Sequence, residues 1–256
     1  MFLIKIFQMN NSDKSIILIP ARIGSTRLPK KPLLKIDGKE MVLKVWENAQ
    51  MSNADLVMIA TDSIEIAEVL KKNNAKYFIT QNTHMSGTDR IYEALEAIDP
   101  EKNYKYVVNL QGDIPNIKSS IIDIGLEKIK STDADILTYA RKIENQKDIL
   151  NPNIVKIATN VKDKNNIEAI YFSRSPIPHG AKVYLEHIGV YIYKREALDK
   201  FTSIEQSTLE KEERLEQLRA IQNSLKINLI LIDDKIISID TLDDVERLMK
   251  AQKGQD

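Results

Sequence analysis

Ser15-Ile-Ile-Leu-Ile-Pro20, followed at once by Ala21-Arg-Ile-Gly-Ser-Thr-Arg-Leu-Pro-Lys-Lys-Pro32, decides the fold. Ile16 to Ile19 is an unbroken apolar run, the mark of a strand covered on both faces in a parallel sheet. The stretch after it is polar and carries four cations, Arg22, Arg27, Lys30 and Lys31, beside Gly24, Ser25 and Thr26. Helical spacing of apolar residues then runs from Met41 to Met51. Strand, polar loop and helix in that order open an α/β unit, and ligands of open α/β sheets bind beyond the carboxyl ends of the strands.

Outward from this unit the alternation continues. Asp55–Ala60, Lys76–Thr80 and Tyr106–Leu110 read as strands. Ile64–Asn73, Asp89–Ala97 and Ser119–Ile129 read as helices, the first with Asp62 or Ser63 as N-cap. From Asp135 the pattern turns to short strands, at Ile136–Tyr139, Ile154–Ala158, Glu168–Phe172 and His187–Tyr193. An amphipathic helix over Leu209–Asn223, a strand over Ile227–Ile232 and a helix over Leu242–Ala251 close the chain. The expected fold is α/β, a doubly wound, mostly parallel sheet with a smaller inserted mixed subdomain. Residues 1–14 read as an N-terminal extension and 15–134 as the α/β core. Residues 135–226 read as the inserted subdomain and 227–256 as the return to the core.

The composition narrows the chemistry. The 256 residues carry 37 Lys+Arg against 37 Asp+Glu. A general polyanion binder shows a basic excess, so nucleic acid is not expected as a partner. Cysteine is absent, which excludes disulfides, thiolate metal sites and a cysteine nucleophile. No apolar run approaches the roughly 18–20 residues of a membrane span. Met1–Gln8 lacks the features of a secretory signal, so the expected location is the cytoplasm.

Three segments carry candidate chemistry. The loop after the first strand offers backbone amides, small residues and cations suited to a polyphosphate. Its spacing matches neither Gly-x-x-x-x-Gly-Lys-Ser/Thr nor Gly-x-Gly-x-x-Gly, and a solvated basic loop is the alternative. Asn109-Leu-Gln-Gly-Asp113 puts a carboxylate at a strand tip, fit for a hard cation or for a plain turn. Asp240-Thr-Leu-Asp-Asp244 precedes the last helix. Asp243 and Asp244 suit its positive N-terminus, and Asp240 is either a cap or a ligand.

Taken together, these segments resemble the sugar-activating cytidylyltransferases. Ile19-Pro-Ala-Arg-Ile-Gly-Ser-Thr-Arg-Leu-Pro-Lys-Lys-Pro-Leu33 is similar to the opening signature of the 3-deoxy-manno-octulosonate (KDO) cytidylyltransferase, or CMP-KDO synthetase, branch. Further matches follow in the family's order. They are Ala60-Thr-Asp62, Ser86-Gly-Thr-Asp-Arg90, Gln111-Gly-Asp113, Asn151-Pro-Asn-Ile-Val-Lys156, Tyr171-Phe-Ser-Arg174 and Pro176-Ile-Pro178. His187-Ile-Gly-Val-Tyr191, Leu215-Glu-Gln-Leu-Arg219 and Asp240-Thr-Leu-Asp-Asp244 complete them, so the resemblance spans about residues 15 to 250. Ile114, Leu242 and the short stretch 179–186 depart from the family's common pattern.

The resemblance implies that CTP and KDO, an acidic octulosonate sugar, give CMP-KDO and pyrophosphate for lipopolysaccharide assembly, with Mg²⁺. Acceptors such as 8-amino-KDO or sialic acid would use the same chemistry. It implies nucleotide contacts from Arg22, Ser25, Arg27, Lys31, Ser86, Gly87, Arg90 and Gln111. Arg22, Lys31, Asp113 and Asp240 would be catalytic, with Asp113 and Asp240 holding the metal at the ends of two strands. Arg174, His187, Tyr191, Glu216 and Gln217 would hold the sugar, and the inserted segment would form a homodimer. Lys30, one position off the match, is expected to face solvent. At alternate strand positions, His187, Gly189 and Tyr191 should share a face.

Overall fold

The computed structural model describes residues 13–24, 28–163 and 166–252. Ser25 and Arg27 therefore lie outside the described residues, as does most of the N-terminal extension. The chain opens with β1 (Lys14–Ala21), a 3₁₀ turn over Lys31–Leu33, and a small hairpin of β2 (Lys35–Ile36) and β3 (Lys39–Glu40). There follow α1 (Met41–Gln50), β4 (Leu56–Thr61), α2 (Ile64–Lys72), β5 (Tyr77–Ile79), α3 (Gly87–Ile98), β6 (Tyr104–Asn109) and α4 (Ser119–Lys130). The second half contains β7 (Ile136–Lys142), α5 (Gln146–Leu150), β8 (Lys156–Asp163), β9 (Asn166–Ser173), β10 (Leu185–Lys194) and α6 (Arg195–Ser203). It ends with α7 (Thr208–Glu213), α8 (Gln217–Gln222), β11 (Ile227–Leu231) and α9 (Leu242–Gln252).

The main sheet has the order β5-β4-β1-β6-β10-β7-β11-β9-β8. The first four strands are mutually parallel, as helical crossovers require. β10 runs antiparallel between β6 and β7, β11 is parallel to β7, and β9 and β8 close the far edge antiparallel. Residues 135–226 thus place their four strands in the same sheet as the first half.

The apolar run in β1 has its explanation in the two layers. Ile17 and Ile19 pack with Val42, Leu43 and Val45 of α1 and Ile121 and Leu126 of α4. Ile16 and Leu18 face the other way, onto Ile91 and Leu95 of α3 and Leu198 and Phe201 of α6. All four β1 side chains are fully buried, each worth about 1.5–3 kcal/mol of transfer free energy.

Three elements differ from the sequence expectation. α6 follows β10 without an intervening residue, so no turn signal marks its start. α5 is only five residues long and buries none of them, which leaves no periodic apolar face to read. The helix expected over Leu209–Asn223 is two helices. Arg214 adopts φ 55°, a left-handed conformation that ends α7. Arg219 of α8 folds back on Glu210 of α7 with Nε and Nη2 at 2.8 and 2.6 Å from its two carboxylate oxygens, a buried bidentate pair that joins the pieces.

Candidate active site

β1 and β6 are parallel neighbours, so the loops leaving them open on the same edge. Their approach is tight. A Cβ built on Gly112 would lie 2.8 Å from the Pro20 carbonyl oxygen, and only glycine allows this contact without a shift. Between them opens a cleft of ≈ 440 Å³. Arg22, Lys31, Ser86, Gly87, Arg90, Gln111, Asp113 and Asp240 all line it.

The centre of the cleft is a charged triad. Lys31 Nζ donates to Asp113 Oδ2 at 2.6 Å and to Asp240 Oδ1 at 2.9 Å. Burial works against the ammonium, but Asp113 and Asp240 outweigh it and hold its pKa above the ordinary value. Lys30 points elsewhere, as expected, with its side chain 61% exposed and paired with Glu65.

Asp240 reaches the triad by a route other than the strand end expected for it. β11 stops at Leu231, and an irregular segment carries the chain onward. The Ile239 amide donates to the Asp113 carbonyl at 2.9 Å. Asn116 clips the same segment, donating to the Lys235 carbonyl at 2.8 Å and accepting from the Ile237 amide at 3.1 Å. Buried Ile237 and Ile239 anchor it beneath, with Leu28, Met41 and Leu248. Capping of α9 falls to Thr241 and Asp244. The Asp244 amide donates to Thr241 Oγ1 at 3.3 Å, and the Thr241 amide to Asp244 Oδ2 at 2.9 Å. The Asp240 carboxylate instead turns to Lys31.

Two carboxylates that a single ammonium can touch at once are spaced for a single metal cation. Their ligand atoms are all oxygens, the set Mg²⁺ prefers, and the cleft they line leaves room for phosphate and water. The residues therefore fit the ion. Among the described residues there is no cluster of three or more His, Cys, Asp or Glu that would form a self-sufficient metal cage.

The remaining nucleotide candidates are more committed to structure. Ser86 caps α3, accepting from the Asp89 amide at 3.1 Å while donating to the Asp89 carboxylate at 2.8 Å. The Arg90 guanidinium, 3% exposed, pairs with Asp62 at 2.7 Å and donates to Thr80 Oγ1 at 2.5 Å. It lines the cleft floor with most of its donors already engaged. A Cβ built on Gly87 would press on Pro20 Cγ at 3.1 Å, so this glycine lets the start of α3 close against β1. His84, paired with Glu93, and Met85, 82% exposed, also line the cleft. Neither lies inside a chemistry-bearing sequence pattern, and only their position before the Ser86 cap hints at them.

The sugar candidates lie outside the lining of this cleft. Tyr191 pairs with Asn109 across β10 and β6, so the first half of β10 runs on past the end of β6. His187 and Tyr191 share a face, with ring centroids 5.4 Å apart, and a Cβ on Gly189 would meet no atom within 4 Å. His187 Nε2 lies 3.0 Å from Thr138 Oγ1, which also lies 2.8 Å from the Val190 carbonyl. Burial pushes the His187 pKa down to about 3, so the ring is neutral. Glu216 accepts from Thr88 Oγ1, and burial raises its pKa. Gln217 is buried, and its Nε2 has no hydrogen-bond partner.

The Arg174 guanidinium, expected to hold the sugar, is engaged within the chain. Its Nε donates to the Glu213 carbonyl at 2.9 Å, one Nη to the Pro152 carbonyl at 2.9 Å and the other to the Arg214 carbonyl at 3.4 Å. Arg174 in this position ties three backbone segments together, and bidentate pairing with a carboxylate would require breaking those bonds. Ile114 is buried in the core beneath the cleft, so its departure from the family pattern removes no charge from the triad.

The family model described as cytidylyltransferase matches residues 16–227. A 3-deoxy-manno-octulosonate cytidylyltransferase of Bartonella bacilliformis is 42% identical over 93% of this chain and 98% of its own length. The enzyme of the same name from Nitrobacter hamburgensis is 39% identical over 91% and 90%. Among solved structures, CMP:2-keto-3-deoxy-manno-octonic acid synthetase complexed with CTP superimposes with a TM-score of 0.85. It is 32% identical, covering 94% of this chain and all of the other. A cytidylyltransferase from Leptospira borgpetersenii, 20% identical with a TM-score of 0.62, shares the fold.

Proposed function

Since the chain belongs to the cytidylyltransferase family, we propose that it transfers the cytidylyl group of CTP to KDO. The products are CMP-KDO, for lipopolysaccharide biosynthesis, and pyrophosphate. One observation carries the reading: Lys31, Asp113 and Asp240 converge on a cleft at the carboxyl ends of β1 and β6. Relatives of 42% and 39% identity that bear the KDO enzyme's name support the choice of sugar.

Lys31 and Arg22 bind the triphosphate, with Ser25 and Arg27 from the same loop. Their charges offset the charge that develops on departing pyrophosphate. Gly87, Ser86, Arg90 and Gln111 surround the nucleoside. Asp113 and Asp240 would hold Mg²⁺, which when bound would neutralise phosphate charge and lower the pKa of the attacking hydroxyl. The sugar lies toward His187, Tyr191, Glu216 and Gln217. Thr138 donates to a backbone carbonyl and so accepts from His187 Nε2, which leaves Nδ1 as an acceptor for a hydroxyl. The unpartnered Gln217 Nε2 is a buried donor suited to a sugar oxygen. Arg174 acts here by shaping the sugar side.

The chain works as a homodimer joined through the 135–226 segment. Its edge strand β8 and neighbour β9 carry exposed Val161 and Ile170, and sedimentation tests this. No helix among the described residues is long and apolar enough to cross a membrane. Because the reaction draws on CTP, we propose that it takes place in the cytoplasm.

The experiment is pyrophosphate release from CTP with Mg²⁺ and a panel of KDO, 8-amino-KDO and sialic acid. KDO should give the highest kcat/KM. Release with none of the three defeats the reading, and preference for sialic acid defeats the sugar assignment.

A further inference from the structure

A row of polar side chains runs under the cleft floor, and its ends belong to the two substrate sides. Glu216 Oε1 accepts from Thr88 Oγ1. Thr88 Oγ1 accepts from Asn109 Nδ2 at 3.0 Å. Asn109 Oδ1 accepts from Gln111 Nε2 at 3.1 Å. Thr88 and Asn109 are both fully buried, so neither can exchange its partner for water.

The row has one direction. With Glu216 as a carboxylate, which only accepts, the single hydroxyl proton of Thr88 goes to Glu216. The Thr88 oxygen must then take its other hydrogen bond from the amide of Asn109. That turns the Asn109 carbonyl toward Gln111, which meets it with its own NH₂. The Gln111 Oε1 is left facing the cleft, beside Gly87, where a Cβ would lie 3.7 Å from it. We propose that Thr88 and Asn109 are positioning residues. They relay the acceptor character of Glu216 to Gln111 and fix Gln111 as an acceptor toward the bound substrates. Its partner is a hydrogen-bond donor of those substrates, either the base amino group or a sugar hydroxyl. This rests on the proposed function for the substrates' identity but not for the orientation of Gln111.

Two variants separate the relay from general structural support. Thr88→Ser keeps the hydroxyl, and Thr88→Val keeps the shape without it. Thr88→Val should lower kcat/KM about tenfold or more, the worth of one oriented hydrogen bond to a buried group, and Thr88→Ser should restore it. In a Gln111→Ala background Thr88→Val should add almost nothing, because the residue it orients is gone. If the donor is the base amino group, the loss shows as weaker preference for CTP over UTP. If it is a sugar hydroxyl, the loss shows as a higher KM for KDO.

The Gln111 side-chain amide resonance gives a reading that needs no turnover. It should shift in Thr88→Val and stay in place in Thr88→Ser. Should Thr88→Val not fold, Asn109→Ser interrupts the same row one link later and should show the same coupling to Gln111. Equal losses from Thr88→Val with and without Gln111, or an unmoved Gln111 amide, would overturn the relay. A wild-type chain inactive on the sugar panel with the amide shifts intact would overturn the function and leave the relay standing.

Discussion

Lys31 and Lys156 are both lysines withdrawn from solvent, and they do opposite things. Lys31 faces two carboxylates from distant parts of the chain at the carboxyl edge of β1 and β6. Lys156, fully buried at the start of β8, donates instead to backbone carbonyls, those of Asn151 at 3.0 Å, Ile154 at 2.7 Å and Arg174. Burial and the nearby Arg174 charge push the Lys156 pKa down, while the aspartates hold that of Lys31 up. Carboxylate partners can be shared with a phosphate or a metal when substrate enters. Carbonyl partners cannot be released without unravelling the loop they belong to. On the proposed function the first lysine serves chemistry and the second architecture, although both fall in sequence segments similar to the same family.

The largest expected effect follows from the first half of that contrast. Lys31→Ala and Asp113→Asn should each cut pyrophosphate release about 100-fold or more, the scale of a lost electrostatic contact in the transition state. Both variants should stay folded by circular dichroism. A folded Lys31→Ala protein with near-normal turnover would break the comparison at its functional end.

The second effect is on stability. Lys156→Met leaves three carbonyls without their donor and should cost about 2–3 kcal/mol. For a chain of this size that is a melting-temperature drop of roughly 5–10 °C. Differential scanning calorimetry of the two lysine variants decides the matter. If Lys31→Ala melts lower than Lys156→Met, their roles are exchanged.

Much of this division was legible in the sequence. The unbroken Ile16–Ile19 run announced a two-faced strand because both its faces are covered by helices, and the cationic loop after it did open on a cleft. Three-dimensional exchange of partners was less visible. Arg174 reads as a free guanidinium in one dimension, yet it is spent on carbonyls from residues 152, 213 and 214, which no local pattern brings near it. Asp240 was expected to end a strand. It reaches Asp113 through the Ile239 amide and the Asn116 clip, contacts made between residues more than a hundred positions apart. α6 leaves no start signal in the sequence because β10 runs into it without a turn.

A pH-dependent effect, no larger than that at Lys156, sharpens the contrast on the proposed sugar side. His187 titrates near 3 in the folded protein because burial disfavours its charge, against 6.5 when free. Below pH 6.5 the unfolded chain binds a proton that the folded chain refuses, so stability falls as pH drops toward 3. The slope from this group is at most about 1.4 kcal/mol per pH unit. Urea denaturation at pH 7 and pH 4.5 should show a smaller loss in His187→Gln than in the wild type. An equal loss in both would mean that His187 is solvated and titrates normally.

The smallest effect belongs to the lysine next door. Lys30 sits one residue before Lys31 in the same basic loop, and at the level of composition the two are interchangeable. The backbone separates them. Lys30 occupies a left-handed conformation, φ 56°, just before the 3₁₀ turn, and this sends its side chain outward to Glu65 at 2.8 Å while Lys31 turns into the cleft. Both members of the outer pair are about half exposed or more, and such pairs are worth about 0.2–1 kcal/mol. Lys30→Ala should therefore leave kcat/KM for CTP unchanged and shift the melting temperature by no more than about 2–4 °C. The decisive measurement is the ratio of the two alanine variants in one pyrophosphate-release assay. A large ratio means that the direction of the chain at residue 30, rather than the number of positive charges in the loop, selects the lysine that meets the triphosphate. A ratio near one would mean that the loop acts as a diffuse basic surface and that the Lys31 triad has no special role.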